Sequence, residues 1–214
     1  MTATTECPAN IPAVRQAVYR FLRASLGPPS PEQHDWMRGT EFAQSLAALT
    51  EAFGVDLPEG ELVPRDWADH ESRYLACFEV GLPSAPVPML ASHYQKREPV
   101  PRIIHEHLLF YRRFGMPGPD REQAPADHLV YQLDFLIHLD ELLRTDRIDA
   151  GSALWARQDF LSRHVLRWTE ESRRQAEENG LPEVYRTLLE VLAVAVAEDR
   201  EQTAASRLKT EELP

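Results

Sequence analysis

An all-α, single-domain helical bundle is the fold class this 214-residue sequence predicts. Three observations carry the prediction. Apolar residues recur at three- and four-residue spacing through most of the chain. No segment alternates in the manner of a half-buried strand, and segments bearing glycine and proline separate the periodic stretches. Composition agrees: 43% hydrophobic and 27% charged residues suit a globular chain long enough to bury a core without staples.

The first helix carries Val14, Val18, Phe21 and Leu22 on one face and is expected to stop near Gly27-Pro28-Pro29. Ser30-Pro31-Glu32-Gln33 then has the form of a helix start: serine caps, proline fits the first turn, and Gln33 can complete a capping box. Phe42, Leu46, Leu49 and Phe53 form the next stripe, closed by Gly54, and residues 55–66 form a loop. The helix over Trp67–Val80 turns Tyr74, Cys77 and Phe78 to its apolar side, and Gly81 stops it. Pro83, Pro86 and Pro88 make the next segment a stiff connector, because proline fixes its own φ and keeps the preceding residue extended. Pro99 and Pro101 close that segment before a helix over Ile103–Phe114, and Gly115–Pro125 is a second loop. Leu129, Leu133, Leu136, Ile137 and Leu143 mark a long apolar helix. Leu154–Ala176 follows as one helix with Phe160, Leu161, Val165 and Trp168. Gly180 ends it, and Pro182 opens the last helix, with Val184, Leu188, Val191, Leu192 and Ala195. The expected organisation is a flexible N-terminus over 1–10, a helical domain over 11–198 and a polar, frayed tail over 199–214.

Thirty-four acids against 23 bases give a net charge of −11. That balance weighs against nucleic acid and anionic membranes as partners. It either attracts a basic peptide or protein or only maintains solubility. The two cysteines, Cys7 and Cys77, match no metal or redox spacing and are expected as reduced thiols in the cytoplasm. Residues 1–12 lack the pattern of a secretory signal, and the longest apolar run, Val191 to Ala197, is too short to span a bilayer.

Catalytic signatures are absent: there is no glycine-rich phosphate loop and no GxSxG elbow. His105 and His107 point to different sides of a helix, and no histidine pair has zinc-ligand spacing. Asp127-His128-Leu129 is the exception to this plainness. It sets an acid and a histidine at the expected start of an apolar helix, where free N–H groups and a partial positive charge gather. Asp127 can cap that helix, and the pair is either local helix chemistry or one wall of a recognition site.

Three blocks in order resemble the TorD/DmsD/NarJ group of redox-enzyme maturation chaperones, and more closely the branch serving type II enzymes of the dimethyl sulfoxide reductase family. The first is Tyr74-Leu75-Ala76-Cys77-Phe78-Glu79-Val80-Gly81 with the proline loop to Pro88, similar to the family's Y-x-R-L-F-E-V-G. The second is Phe110-Tyr111-Arg112-Arg113-Phe114-Gly115-Met116 followed by Asp127-His128-Leu129. The third is Phe160-Leu161-Ser162-Arg163-His164-Val165-Leu166-Arg167-Trp168, similar to FLxxHLxxW. Ala76, Cys77, Val87 and Gln132 stand where the pattern has arginine, leucine, cysteine and glutamate.

The resemblance implies a cytoplasmic, non-enzymatic chaperone of TorD-like helical fold with no cofactor of its own. Its partner would be the immature catalytic subunit of a molybdopterin-containing oxidoreductase, or that subunit's twin-arginine signal peptide, held until cofactor insertion. It would exist as a monomer or a domain-swapped dimer. The implied client-binding residues are Tyr74, Phe78, Glu79, Pro83, Pro86, Pro88, Asp127, His128, Tyr131, Asp134 and Phe135. At helical spacing, Tyr74, Phe78 and Phe135 are more often core than groove, and Glu79 and Asp134 can be solvated charges and nothing more. The rival from another class is a helical enzyme using His128 or His164 as a metal or heme ligand.

Overall fold

Side-chain caps set several helix starts. Ser30 Oγ accepts from Gln33 N at 3.1 Å, Asp66 Oδ1 from Ala68 N at 2.9 Å, and Asp149 Oδ1 from Ser152 N at 2.8 Å. Each satisfies a backbone donor that the first turn leaves free. A computed structural model describes residues 11–119 and 124–211. Its helices are α1 (Ile11–Leu26), α2 (Pro31–Met37), α3 (Thr40–Phe53), α4 (Trp67–Phe78), the one-turn α5 (Ala91–Tyr94), α6 (Val100–Arg113), α7 (Leu129–Arg144), α8 (Ala150–Phe160), α9 (Leu166–Glu178) and α10 (Glu183–Glu211). A π-helical turn, Leu161–Val165, joins α8 to α9. Among the described residues there is no strand, only an isolated antiparallel bridge between Leu90 and His128. No helix of the described residues is long and apolar enough to cross a membrane.

The 29-residue α10 spans about 44 Å at 1.5 Å per residue and packs against α1, α3, α8 and α9. Its Leu188, Leu189, Val191, Leu192 and Val196 are fully buried, beside Leu22, Phe42, Leu133, Phe135, Phe160 and Trp168 from the surrounding helices. The all-α expectation therefore holds.

Several boundaries differ from the sequence reading, and α4 ends at Phe78 where the sequence carries the helix to Val80. Val100 and Pro101 lie inside the first turn of α6, where a missing proline N–H costs nothing, so the helix starts before Ile103. The stiff connector holds a helical turn, α5. Capped by Asp149, α8 starts at Ala150, four residues ahead of the expected Leu154, and the expected Leu154–Ala176 helix is interrupted by the π turn at Leu161–Val165. The expected frayed tail is helical as far as Glu211, because Asp199 and Thr203 face inward. The expected flexible segment 1–10, with Cys7, and residues 212–214 lie outside the described residues.

Asp199 explains that last difference. Arg157, 2% exposed, donates to Asp199 through Nε at 2.9 Å and Nη2 at 2.6 Å, to Leu136 O at 3.1 Å, and contacts Asp140 at 3.2 Å. Arg15 reaches both acids, at 2.8 and 3.3 Å, and Tyr19 Oη donates to Asp199 at 2.8 Å. Two guanidiniums and two carboxylates thus tie α1, α7, α8 and α10 in a charge-balanced cluster. Burial raises the Asp199 carboxyl pKa, but Arg157 and Arg15 outweigh it and hold the group below the usual range.

Candidate functional site

The start of α7 is where the three sequence blocks meet. His128, not Asp127, is the N-cap: its φ of −70° and ψ of 145° are extended, and its Nδ1 accepts from Val130 N at 3.3 Å. In the neutral ring that leaves the proton on Nε2, which lies 4.0 Å from Glu79 Oε1. Burial lowers the His128 pKa to about 4, with Asp127 pulling the other way, so the ring is neutral near pH 7 and the Glu79 contact is not an ion pair. Partial desolvation raises the carboxyl of Glu79, whose side chain is still 43% exposed, above its usual value.

Asp127 caps a different turn from the one expected. Its Oδ2 accepts from Ser92 N at 2.9 Å, at the start of α5, and its backbone oxygen accepts from Ala91 N at 3.1 Å. The cause is the Leu90–His128 bridge, with Leu129 N donating to Met89 O at 2.9 Å, which lays residues 89–92 along the chain just ahead of α7. The other carboxylate oxygen, Oδ1, is buried without a hydrogen-bond partner among the described residues, and so is His107 Nε2.

Gln132 completes the junction. Its Nε2 donates to Asp127 O at 2.6 Å, and its Oε1 accepts from Trp168 Nε1 at 3.2 Å. An ionised glutamate, the residue of the family pattern, could not make the first bond. Trp168 in turn stacks on Tyr94 of α5, ring centroids 5.4 Å apart. The first block is fastened by Val87 N donating to Cys77 O at 3.0 Å. Gly81 lets that loop close: a Cβ there would fall 2.1 Å from Ser84 O.

The residues singled out from sequence separate into two layers. Tyr74, Phe78, Pro88, Asp127, His128 and Phe135 are buried, which corrects any reading of them as an open contact face. Tyr74 Oη donates to Leu26 O, Phe78 packs on Tyr185, and Phe135 lies 4.6 Å from Phe160, so the apolar stripe wins over exposure. Glu79 and Pro83 are exposed, and Pro86, Tyr131 and Asp134 are half-buried. Tyr131 lines two adjoining surface depressions between α1 and α7, of about 600 and 570 Å³. The first also holds Arg23, Pro28 and Trp36; the second holds Asp134, Ile137 and Glu141. Asp134 is paired with Arg23 at 2.6 Å on the surface.

The rival ligands sit in closed surroundings. His164 is 2% exposed, 4.3 Å from the His107 ring and against Phe110 and Phe160. Among the described residues no three of His, Cys, Asp and Glu are grouped to hold a metal. Burial, then His107, Arg163 and Arg167, lowers the His164 pKa to about 2. Burial also pushes the Cys77 thiol up to about 11, consistent with a packing role. Sequence reasoning missed Arg157, Gln132 and His107 as structural centres. Gln132 was detectable as a departure from the family pattern; Arg157 gave no local signal, because its partners lie far off in sequence.

Comparison with known proteins bears on this junction. The family model described as nitrate reductase delta subunit matches residues 38–173, a span holding all three blocks. A selenate reductase assembly chaperone protein from Thauera selenatis is 36% identical over 112 residues, 50% of this chain and 57% of that protein. The chain therefore spans little more than half the length of that relative. A dimethyl sulfide dehydrogenase assembly chaperone protein from Rhodovulum sulfidophilum is 29% identical, covering 77% of this chain and 72% of its own. A perchlorate reductase assembly chaperone protein from Dechloromonas aromatica is 24% identical, covering 72% and 74%.

Proposed function

This chain belongs to the nitrate reductase delta subunit family, the TorD- and NarJ-like chaperones, and on that premise we propose that it is an assembly chaperone for a molybdenum oxidoreductase. It binds the immature catalytic subunit, or that subunit's twin-arginine signal peptide, in the cytoplasm and holds it until the cofactor is inserted. Its work is binding and release, with no bond chemistry. The observation that carries this reading is the coincidence of the 38–173 match with the Asp127 junction, where Gln132 links the second block to Trp168 of the third by hydrogen bonds and Glu79 of the first lies 4.0 Å from His128.

The two layers divide the labour. Asp127, His128, Tyr74, Phe78, Pro88 and Phe135 hold the junction from beneath. Glu79, Pro83, Pro86, Tyr131 and Asp134 present it to the client. The exposed Arg23–Asp134 pair contributes little to stability, so an arginine of the client can take the place of Arg23 at low cost. The net charge of −11 steers a basic segment towards the chain. The α1–α7 depressions accept its apolar residues.

Replacing Asp127 and His128 would disturb the frame as well as any contact, so exposed residues give the cleaner test. Glu79→Lys combined with Tyr131→Ala is expected to weaken capture of the client's basic segment by about ten-fold or more, roughly 1.4 kcal/mol, with unchanged far-UV circular dichroism. Undiminished capture by that variant would place the contact elsewhere.

A further inference from the structure

At the far end of α7 from the Asp127 junction lies an open groove between α6, the α7–α8 turn and α8. Leu142 on its wall is thirteen residues beyond Leu129, about 20 Å along the helix. The groove has a volume of about 780 Å³, within the roughly 300–1,000 Å³ of ligand-sized sites. Leu109, Phe110, Phe114, Leu142, Ile148 and Trp155 give it an apolar lining. Leu109 and Trp155 are 51% and 53% exposed, whereas Trp168 in the core is 0% exposed.

Among the described residues lining this groove, the uncommitted charge has one sign. Arg113 and Arg147 line it, both exposed, and neither side chain has an ion pair or hydrogen bond among the described residues. Arg113 also complements the C-terminal dipole of α6; Arg147, in the turn, has no such duty. Asp159, the acid in the lining, is committed to Arg163 at 3.2 Å. Two guanidiniums without a partner among the described residues, beside an exposed indole, run against the overall charge of −11. A basic segment would be repelled here, and a wholly apolar one would leave the arginines unused.

We infer that this groove docks a short segment of a partner protein carrying aspartate or glutamate beside leucine or aromatic side chains. Its apolar residues cover Trp155 and Leu109, and its carboxylates take Arg113 and Arg147, whose planar forks match carboxylate geometry. Tryptophan and arginine are also the side chains that most often dominate binding energy at interfaces. The occupant is opposite in charge to the basic segment proposed for the α1–α7 face, so the two sites can fail or hold independently.

Fluorescence anisotropy on the full chain tests this, with a short labelled peptide of leucine, phenylalanine and glutamate as probe. Its glutamate-to-lysine counterpart and dodecanoate serve as comparators. The glutamate peptide is expected to bind, and Arg113→Glu with Arg147→Glu to weaken it about ten-fold or more while improving binding of the lysine peptide. Trp155→Ala is expected to weaken both, and Glu79→Lys to leave the glutamate peptide's affinity unchanged. Equal binding of the two peptides to the native chain would overturn the inference. So would indifference to the charge reversals, or dodecanoate displacing the peptide while its glutamates can be dropped without loss.

Discussion

Gln132→Glu exchanges a single amide for a carboxyl at a position with no exposure. In the native chain the amide nitrogen donates to Asp127 O at 2.6 Å and the amide oxygen accepts from Trp168 Nε1 at 3.2 Å. An ionised glutamate keeps the second bond and sets an anionic oxygen against the Asp127 carbonyl. That carbonyl retains Ala91 N at 3.1 Å, so losing the first bond costs only about 1 kcal/mol. Burying the charge costs more, and it raises the folded pKa of the new carboxyl above about 4.3. A rise of about two units corresponds to about 2.7 kcal/mol near neutrality. Protonation restores a donor towards Asp127 O. A carboxyl with a raised folded pKa destabilises above its unfolded pKa, and that penalty fades as pH falls back towards it. The variant should therefore trail the native chain by about 3 kcal/mol near about pH 7.5 and by less than about 1 kcal/mol near about pH 4.5. Urea unfolding followed by far-UV circular dichroism at both pH values, each referenced to the native chain, reads the difference. A deficit equal at the two, or missing near neutrality, refutes the hydrogen-bonded junction.

Gly81→Ala forces the Ser84 carbonyl away from a Cβ 2.1 Å off, and should cost about 1–3 kcal/mol in urea unfolding while moving the proline loop and weakening client capture. Arg157→Ala leaves Asp199 and Asp140 short of a buried cation, and a loss of about 3–5 kcal/mol is expected in chemical denaturation. His128 and His164 have folded pKa values of about 4 and about 2, lowered chiefly by burial and below the unfolded value near 6.5. The unfolded chain takes up protons first on acidification. Their contribution is thus complete above about pH 6.5 and falls by up to about 1.4 kcal/mol per pH unit for each histidine below it. His164→Phe should make the urea midpoint less sensitive to pH between about 6.5 and 4.5; an unchanged slope would contradict its neutral burial. Cys77, with its thiol near 11, should resist alkylation in the folded chain near pH 7 and react once urea unfolds it, as followed by mass spectrometry with Cys77→Ser as control.

Periodicity made the helices legible because each buries one stripe: Leu129, Leu133 and Leu136 announce α7 without any tertiary knowledge. Caps at Ser30 and breaks at Gly54 were equally local. What escaped was set at long range. Asp199 looks like tail until Arg157 and Arg15 are seen around it, and no spacing rule links residues 15, 157 and 199. Asp127 has the form of an N-cap by composition, yet the Leu90–His128 bridge hands that role to its neighbour. The family resemblance drew together three blocks that lie far apart in sequence and close together around the start of α7. It could not sort frame from surface, because Tyr74 and Phe135 carry the same apolar signal whether they line a groove or fill a core.

Affinity capture with the full chain from cells that express it, followed by mass spectrometry, puts the chaperone role to the sharpest test. A molybdenum oxidoreductase catalytic subunit should be enriched in its cofactor-free form and should be lost with Glu79→Lys and Tyr131→Ala together. Enrichment of the mature, cofactor-loaded subunit instead, or of no such subunit, would contradict a role in assembly.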